Sequence, residues 1–282
     1  MSKQLSIEEL KLKSVRYRRE LLRCITEAGA GHTGGSLSCV DILSVLYNRV
    51  MNVSPANWAD PDRDRYVQSK GHSVEALYVV LADQGFFPLE DLEGLCRYGS
   101  PFVGHPTRKT PGIEMNTGAL GHGLPIAVGM AIAAKLDNSK RRVFTLMGDG
   151  ELAEGSNWEG AMSAAHHRLD NLTAIVDYNT LQITGPTRDV CSNEPIDEKF
   201  ASFGWNVRPV DGHDLEALTE AFTAAPEPGR PTCVIANTVK GKGVSFMENV
   251  VKWHHGVPGA DDYTTAQQEI DAAEALLTGG PS

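Results

Sequence analysis

The sequence predicts an α/β fold, in which a parallel sheet carries helices on both of its faces. The first observation is the short apolar run Val143–Met147, which is bounded by glycine and is typical of a buried strand. The second is the pattern after it, a helix over Gly155–Arg168 and a strand over Thr173–Tyr178, which completes a βαβ unit with parallel strands. The third is that strands and helices alternate along the rest of the chain, which indicates a single domain over residues 1–282.

The N-terminal part of the chain is predicted to be helical. Apolar residues recur at helical spacing over Ile7–Ala28 and again over Ser38–Val50. A GxGxxG match lies between these helices, from Gly29 to Gly34. A dinucleotide-binding fingerprint has to follow a strand, and this one follows a helix, so we reject that interpretation. The glycines still predict a loop that comes close to a ligand and places His32 beside it.

A predicted strand, Arg65–Gln68, leads through Ser69-Lys70-Gly71-His72 into a helix over Ser73–Gln84. A glycine and a histidine at the N-terminus of a helix provide a favourable place for an anion. His72 is therefore either a phosphate donor or a capping residue. A further short helix is predicted over Leu89–Tyr98.

The middle and C-terminal parts continue the alternation of strands and helices. A helix rich in small residues begins within Gly118–Gly123 and ends near Leu136, and its composition suits either close approach to a ligand or packing against the sheet. The remaining predicted elements are a loop over Gln182–Pro195, helices over Ile196–Phe203, Leu215–Ala224 and Ala260–Leu277, and strands over Trp205–Val210 and Cys233–Thr238.

Composition and charge exclude several classes of protein. The chain has 282 residues and a net charge of −10, which argues against nucleic acid or an anionic membrane as a partner. Its five cysteines form no CxxC pair and no metal-binding spacing, as expected in a reducing compartment. The N-terminus is charged throughout, and the most apolar run, Gly123–Ala134, is too short to span a bilayer. We therefore expect a cytoplasmic protein.

Two oxygen-bearing side chains follow the two strands of the first βαβ unit. Asp149 lies just past the first strand and Asn179 lies at the end of the second. Ligands of parallel sheets bind outside the carboxyl ends of the strands, where these two side chains become neighbours. Carboxylate and amide oxygens suit Mg²⁺ or Ca²⁺, and Gly148 and Gly150 let a diphosphate come close. The alternative interpretation is a simple turn at Asp149 and a strand-end cap at Asn179.

Seven motifs, in order along the chain, resemble the N-terminal, diphosphate-binding half of transketolase. They are GHTGGSLS, SKGH, GHP, TGALGHG, GDGELAEG, DYNTLQITG and HHGVP. The resemblance runs from about residue 10 to residue 262. It implies the thiamine-diphosphate-binding fold, with thiamine diphosphate and Mg²⁺ as cofactors; Ca²⁺ or Mn²⁺ are expected substitutes for the magnesium ion.

The resemblance also assigns roles to individual residues. It implies that Mg²⁺ is held by the side chains of Asp149 and Asn179 and by the carbonyl of Leu181. The residues implied in binding the cofactor are His72, Gly118, Ala119, Leu120, Gly150, Glu154, Asn179 and His255. Among them, His72 and Gly150 meet the diphosphate. Glu154 resembles a glutamate that meets a partner-chain carboxylate across a dimer interface.

Three histidines are predicted to be catalytic. The resemblance implies that His32, His105 and His255 face the reacting carbon of the cofactor. The reaction has to give a proton to the developing alkoxide at the sugar C2 and remove one from the C3 hydroxyl, and histidine does both near neutral pH. We assign these steps to His32 and His255, and binding of the C1 hydroxyl to His105.

Two positions depart from the family's pattern. His122 stands where the family has a glutamine, and Thr33 stands where it has a proline. His122 is either a titratable group near the cofactor or an inert residue at the start of a helix.

The expected function is transfer of a two-carbon ketol unit from a ketose phosphate to an aldose phosphate. The family's middle and C-terminal domains are not part of the sequence, so we expect a split enzyme whose second subunit carries them, most simply as an α2β2 assembly. Three alternatives stay open at this point. They are a relative for a branched pentose phosphate or a sulfonated sugar, a 1-deoxyxylulose-phosphate synthase-like enzyme, and a non-catalytic binding subunit.

Overall fold

A five-stranded parallel sheet forms the centre of the molecule, as seen in a computed structural model that describes residues 5–279. The strands are β1 (Arg65–Gln68), β2 (Val143–Gly148), β3 (Leu172–Tyr178), β4 (Leu181–Gln182), β5 (Gly185–Pro186), β6 (Asn206–Asp211) and β7 (Thr232–Asn237). The main sheet has the order β1-β2-β3-β7-β6, and β4 and β5 form a short antiparallel hairpin. The predicted fold class is confirmed; residues 1–4 and 280–282 of the predicted domain lie outside the described part.

The central strands are buried on both faces. Along β2, Phe144 and Leu146 enter one hydrophobic cluster, while Val143 and Met147 enter a second cluster on the opposite face. Successive side chains of a strand point to opposite faces, so a strand covered on both sides is continuously apolar. This burial explains why a mainly apolar run, interrupted only by the buried Thr145 and without regular polar alternation, correctly predicted a strand.

Helices cover both faces of the sheet. They are α1 (Ile7–Ala28), α2 (Thr33–Ser38), α3 (Val40–Val45), α4 (Val74–Asp83), α5 (Gly123–Leu136), α6 (Gly155–His166), α7 (Thr187–Val190), α8 (Ile196–Ser202), α9 (Leu215–Thr223) and α10 (Ala260–Thr278). Helices α1, α3, α4 and α9 pack in the first cluster, and α5, α6 and α8 pack in the second. Within residues 5–279, no helix combines the length and the hydropathy that crossing a membrane requires.

Four predicted elements differ from the structure, and two of them lie near the N-terminus. The predicted loop before Ser38 is the helix α2, because full burial of Thr33–Ser38 overrides the low helix propensity of its glycines. The predicted helix over Ser38–Val50 is interrupted at Cys39 and ends in a π-helical turn, Leu46–Val50.

The other two differences involve short elements. The predicted helix over Leu89–Tyr98 is a 3₁₀ segment, Leu89–Gly94. The predicted loop over Gln182–Pro195 contains most of the β4–β5 hairpin and the single turn α7. Neither segment is long enough to produce the periodicity from which elements are predicted.

A buried ion pair joins the carboxyl ends of the strands. Lys70, in the turn after β1, binds the carboxylate of Asp177 in β3, and Asp177 has 0% of its surface exposed. The Lys70 ammonium also donates to the carbonyl of Gly35 in α2 at 2.9 Å. The hydroxyls of Ser38, at 2.6 Å, and of Thr238, which follows β7, donate to the same carboxylate. The pair therefore connects α2 with the ends of three strands.

We expect the variant Asp177→Asn to lose about 3–5 kcal/mol of unfolding free energy, because it leaves the Lys70 ammonium buried without its counter-charge. Urea denaturation measures this loss. The double variant Lys70→Met/Asp177→Asn is the matched control and should recover most of the stability, since it buries no unpaired charge. The single variant Lys70→Met completes the comparison. If the destabilisation of the double variant equals the sum of those of Lys70→Met and Asp177→Asn, the two groups are not coupled.

Candidate active site

One pocket lies outside the carboxyl ends of the strands, where the sequence places most of the candidate residues. The predicted site residues that line it are His32, His72, His105, Gly118, Leu120, Asp149, Gly150, Asn179, Leu181 and His255. Ala119 and Glu154 do not line this pocket. Glu154 is the exposed residue that precedes α6. The pocket has an end rich in oxygen atoms and an end rich in imidazoles.

The oxygen end is formed by the residues that follow β2 and β3. Asp149 is only 3% exposed; its carboxylate accepts from the backbone N–H of Gly150 at 2.8 Å and of Thr180 at 2.5 Å. The amide oxygen of Asn179 accepts from the backbone N–H of Leu181 at 3.2 Å. Because β2 and β3 are parallel neighbours, with Gly148 paired to Asp177, the residues after both strands meet at one edge.

The electrostatics of this end favour a cation. Burial raises the pKa of the Asp149 carboxyl to about 6, and the negative charge of Asp177 acts in the same direction. A divalent ion at this carboxylate would offset both effects. A carboxylate, an amide oxygen and a backbone carbonyl are hard donors, so the residues fit Mg²⁺, Ca²⁺ or Mn²⁺ better than a soft metal.

Five histidines gather at the other end, with His32 at their centre. The ring centroid of His32 lies 3.9 Å from that of His255, 5.2 Å from that of His72 and 5.9 Å from those of His105 and His254. Burial lowers the pKa of His32 and of His254 to about 3, and neighbouring positive charges act in the same direction. Burial also lowers the pKa of His72 and of His105. These four imidazoles are neutral at pH 7.

Close backbone packing sets the positions of His72 and His105. His72 lies in a 3₁₀ turn, and a Cβ atom on the preceding Gly71 would come within 2.8 Å of the backbone nitrogen of Gly118. Gly118 itself has a φ of +134°, and a Cβ atom there would lie 2.7 Å from the Cδ2 atom of His105. Both positions require glycine, since any side chain would separate the two histidine-bearing segments.

His32 and His255 are held by hydrogen bonds from outside their own segments. The backbone N–H of His32 donates to the carboxylate of Glu75 in α4 at 3.3 Å, and Ser36 donates to the same carboxylate at 2.8 Å. The hydroxyl of Thr33 donates to the carbonyl of Gly256 at 2.7 Å. Thr33 therefore fastens the loop of His255 to α2, which a proline at this position would not do.

Sequence reasoning did not assign four residues of this region: Lys70, Glu75, Lys240 and His254. The Lys240 ammonium lies 3.0 Å from the carbonyl oxygen of Leu181 and 2.8 Å from Nδ1 of His254, so it joins the two ends of the pocket. The position of Lys240 shortly after a strand and the repeated histidine at residues 254 and 255 were the available signals. His122, at the start of α5, is exposed and does not line the pocket.

Comparisons with known proteins agree with this geometry. Residues 11–274 match the family model for the transketolase thiamine diphosphate binding domain. The chain is 46% identical to one of the subunits of apulose-4-phosphate transketolase from Phocaeicola vulgatus, over 94% of this chain and 95% of that protein. It is 44% identical to the 6-deoxy-6-sulfo-D-fructose transketolase subunit SqwG of a Clostridium species, over 84% of this chain and 87% of that protein.

Solved structures show the same fold. The crystal structure of transketolase from Campylobacter jejuni superposes with a TM-score of 0.87 and 31% identity, over 97% of this chain and 46% of that one. Transketolase from Leishmania mexicana superposes with a TM-score of 0.79 and 27% identity, over 98% of this chain and 46% of that one. The chain therefore spans about half the length of these solved transketolases.

Glu75 should make the stability of the free chain depend on pH. Burial raises the pKa of Glu75 from 4.5 to about 7, so the folded chain holds this proton more tightly than the unfolded chain. The resulting stabilisation is complete below a pH of about 4.5 and disappears as the pH rises through about 7. In the parent, this group should lower the unfolding free energy by about 2–3 kcal/mol between pH 5 and pH 8, and in the variant Glu75→Gln this fall should be absent. Denaturant unfolding at both pH values checks this, and equal pH dependence in the two proteins would refute it.

Proposed function

We propose that this chain, which belongs to the family of transketolase thiamine diphosphate-binding domains, is one subunit of an enzyme. The enzyme transfers a two-carbon ketol unit from a ketose phosphate to an aldose phosphate. The observation that carries the proposal is the pocket itself. Hard oxygen donors lie at one end of the pocket and five histidines lie at the other. The first group suits a metal–diphosphate cofactor, and the second suits proton transfer to and from a hydroxylated sugar.

Asp149, Asn179 and the carbonyl of Leu181 would hold Mg²⁺, for which Ca²⁺ or Mn²⁺ would substitute. His72 and Gly150 would meet the diphosphate, and Gly118 to Leu120 would lie along the cofactor. Lys240 donates to the Leu181 carbonyl in the free chain, so its ammonium would lie close to a cation that binds the same oxygen. When bound, thiamine diphosphate supplies the electron sink that carbon–carbon bond cleavage needs.

His32 and His255 would exchange protons with the sugar, and His105 would bind its C1 hydroxyl. The depressed pKa of His32, about 3 in the free chain, makes this imidazole a neutral proton acceptor at pH 7. The negative charges of a bound diphosphate and a sugar phosphate raise the pKa of nearby histidines. The site would therefore move His32 toward the range in which a general base works best.

A second subunit would complete the site, as a heterotetramer of two chains of each kind in the cytoplasm. Two exposed apolar side chains support this proposal: Met162 on α6 is 56% exposed, and Ile183, which lines the pocket, is 62% exposed. The helix α5 is apolar on nearly every side, yet Gly129 and Ala133 on it are exposed. Glu154, at the start of α6, would meet a carboxylate of the partner on this surface. Relatives of nearly equal length are themselves named as single subunits of a transketolase.

The names of the relatives favour a specialised sugar as the second candidate. They are named for apulose-4-phosphate and for 6-deoxy-6-sulfo-D-fructose, and they share 44–47% identity with this chain. We propose that the donor is either an ordinary ketose phosphate or a branched or sulfonated ketose. A 1-deoxyxylulose-phosphate synthase-like reaction is less well supported, since the histidines suit a hydroxylated donor. A non-catalytic role would not account for the five histidines in the pocket.

The test is an assay of the chain reconstituted with its co-purifying partner against a panel of ketose donors. In this complex, His32→Gln should lower kcat about 10²–10⁴-fold while thiamine diphosphate still binds, because the variant removes a proton-transfer group and leaves the metal ligands intact. Asp149→Ala should instead abolish cofactor binding, as measured by calorimetry. The exposed His167→Gln variant is the control and should retain activity. Full activity of the His32 variant, or ketol transfer by this chain alone, would refute the assignment.

A further inference from the structure

Three of the pocket histidines form a cluster with the composition of a metal site. One ring nitrogen from each of His32, His254 and His255 lies within 4.8 Å of the corresponding atoms of the other two. The rings of His32 and His255 are in contact, with centroids 3.9 Å apart. These donors are nitrogens, whereas the donors near Asp149 are oxygens, so the two ends of the pocket differ in the metals that they suit.

The cluster contains an imidazole nitrogen that lacks a partner. Nδ1 of His32 is buried and makes no hydrogen bond within the described part of the chain. A buried polar atom left unsatisfied destabilises the fold, so such an atom calls for a ligand. The ring that carries this atom lines the pocket, so a ligand that enters the pocket reaches the same imidazole.

We propose that His32, His254 and His255 form a second metal site, which takes a first-row transition-metal ion such as Zn²⁺ and is separate from the oxygen site at Asp149. Three imidazoles with a free fourth position are a set of donors that zinc accepts. With zinc–nitrogen bonds of about 2.0–2.1 Å, tetrahedral ligand atoms lie about 3.3 Å apart. The nitrogens of the cluster, which lie within 4.8 Å of one another, would contract to this spacing on binding, and His255 is the exposed member of the three.

A positive charge beside the cluster acts against metal binding. The Lys240 ammonium opposes a cation, because its Nζ atom lies 2.8 Å from Nδ1 of His254. Lys70, the other nearby cation, is paired with Asp177. Lys240 is therefore the group against which a metal has to compete, and Lys240→Met should tighten binding.

A metal at this cluster would exclude the sugar. In the proposed function, the same histidines face the reacting carbons, so Zn²⁺ would inhibit ketol transfer in competition with the donor sugar. This consequence rests on the proposed function. Metal binding itself rests only on the three imidazoles.

The experiment uses the untagged full-length chain in excess Mg²⁺, which occupies the oxygen site, and titrates it with Co²⁺ as a spectroscopic substitute for Zn²⁺. We expect one tightly bound Co²⁺ per chain with the visible absorption of a nitrogen-ligated ion, and we expect Zn²⁺ to displace it. His254→Gln and His255→Gln should each weaken binding at least about 10–100-fold, since even loss of an outer-sphere partner costs that much. His255 is exposed, so its variant tests the site without risk to folding.

The matched control is His105→Gln, which alters the same pocket outside the cluster and should leave the Co²⁺ affinity unchanged. Absence of the visible band would overturn the proposal. So would binding that survives His255→Gln but disappears in His166→Gln/His167→Gln, because those adjacent histidines lie on the surface at the end of α6. If Zn²⁺ binds the cluster without inhibiting the reconstituted enzyme, the metal site stands and the proposed position of the sugar is wrong.

Discussion

The buried ion pair of Lys70 and Asp177 is the interaction on which the rest of the pocket depends. It joins the turn after β1 to β3, and through Gly35, Ser38 and Thr238 it also holds α2 and the end of β7. The turn after β1 carries His72, β3 leads to Asn179, and α2 directly follows His32. An unpaired charge at this depth would be costly, so the pair constrains the sheet edge to one arrangement.

The pocket separates two kinds of chemistry along its length. Hard oxygen donors follow β2 and β3, whereas the imidazoles come from the residue before α2, from the turn after β1, from the loop before α5 and from the 3₁₀ turn that ends at His254. Lys240 lies between them and contacts both Leu181 and His254. Burial and the positive charge of Lys240 lower the pKa of His254, whereas burial and the negative charge of Asp177 raise the pKa of Asp149 at the oxygen end. In the proposed function, this division would allow one pocket to bind an anionic cofactor through a metal and also to supply imidazoles as bases.

The parts of the site that local sequence patterns determine were predictable. The proximity of Asp149 and Asn179 is predictable because both residues follow apolar strands, and parallel strands end at one edge of a sheet. The helix α2 was missed because tertiary burial, rather than propensity, makes its glycines helical. In the sequence Glu75 is an ordinary helix residue. Its hydrogen bond with the backbone N–H of His32 depends on how α4 packs in the fold. Lys240 lies in a loop and His254 in a 3₁₀ turn, and their positions depend on distant contacts, such as the bond from the Gly241 N–H to the Gly34 carbonyl at 3.0 Å.

The central claim is that the edge formed by Asp149, Asn179 and Leu181 holds a cofactor diphosphate through a metal ion. Electron spin-echo spectroscopy of Mn²⁺ in the chain with its partner tests this claim most directly, because it detects phosphorus nuclei near the bound ion. The account predicts a phosphorus coupling that appears only with thiamine diphosphate and disappears in Asn179→Ala. A phosphorus coupling of the same strength in that variant, or none in the parent protein, would contradict it.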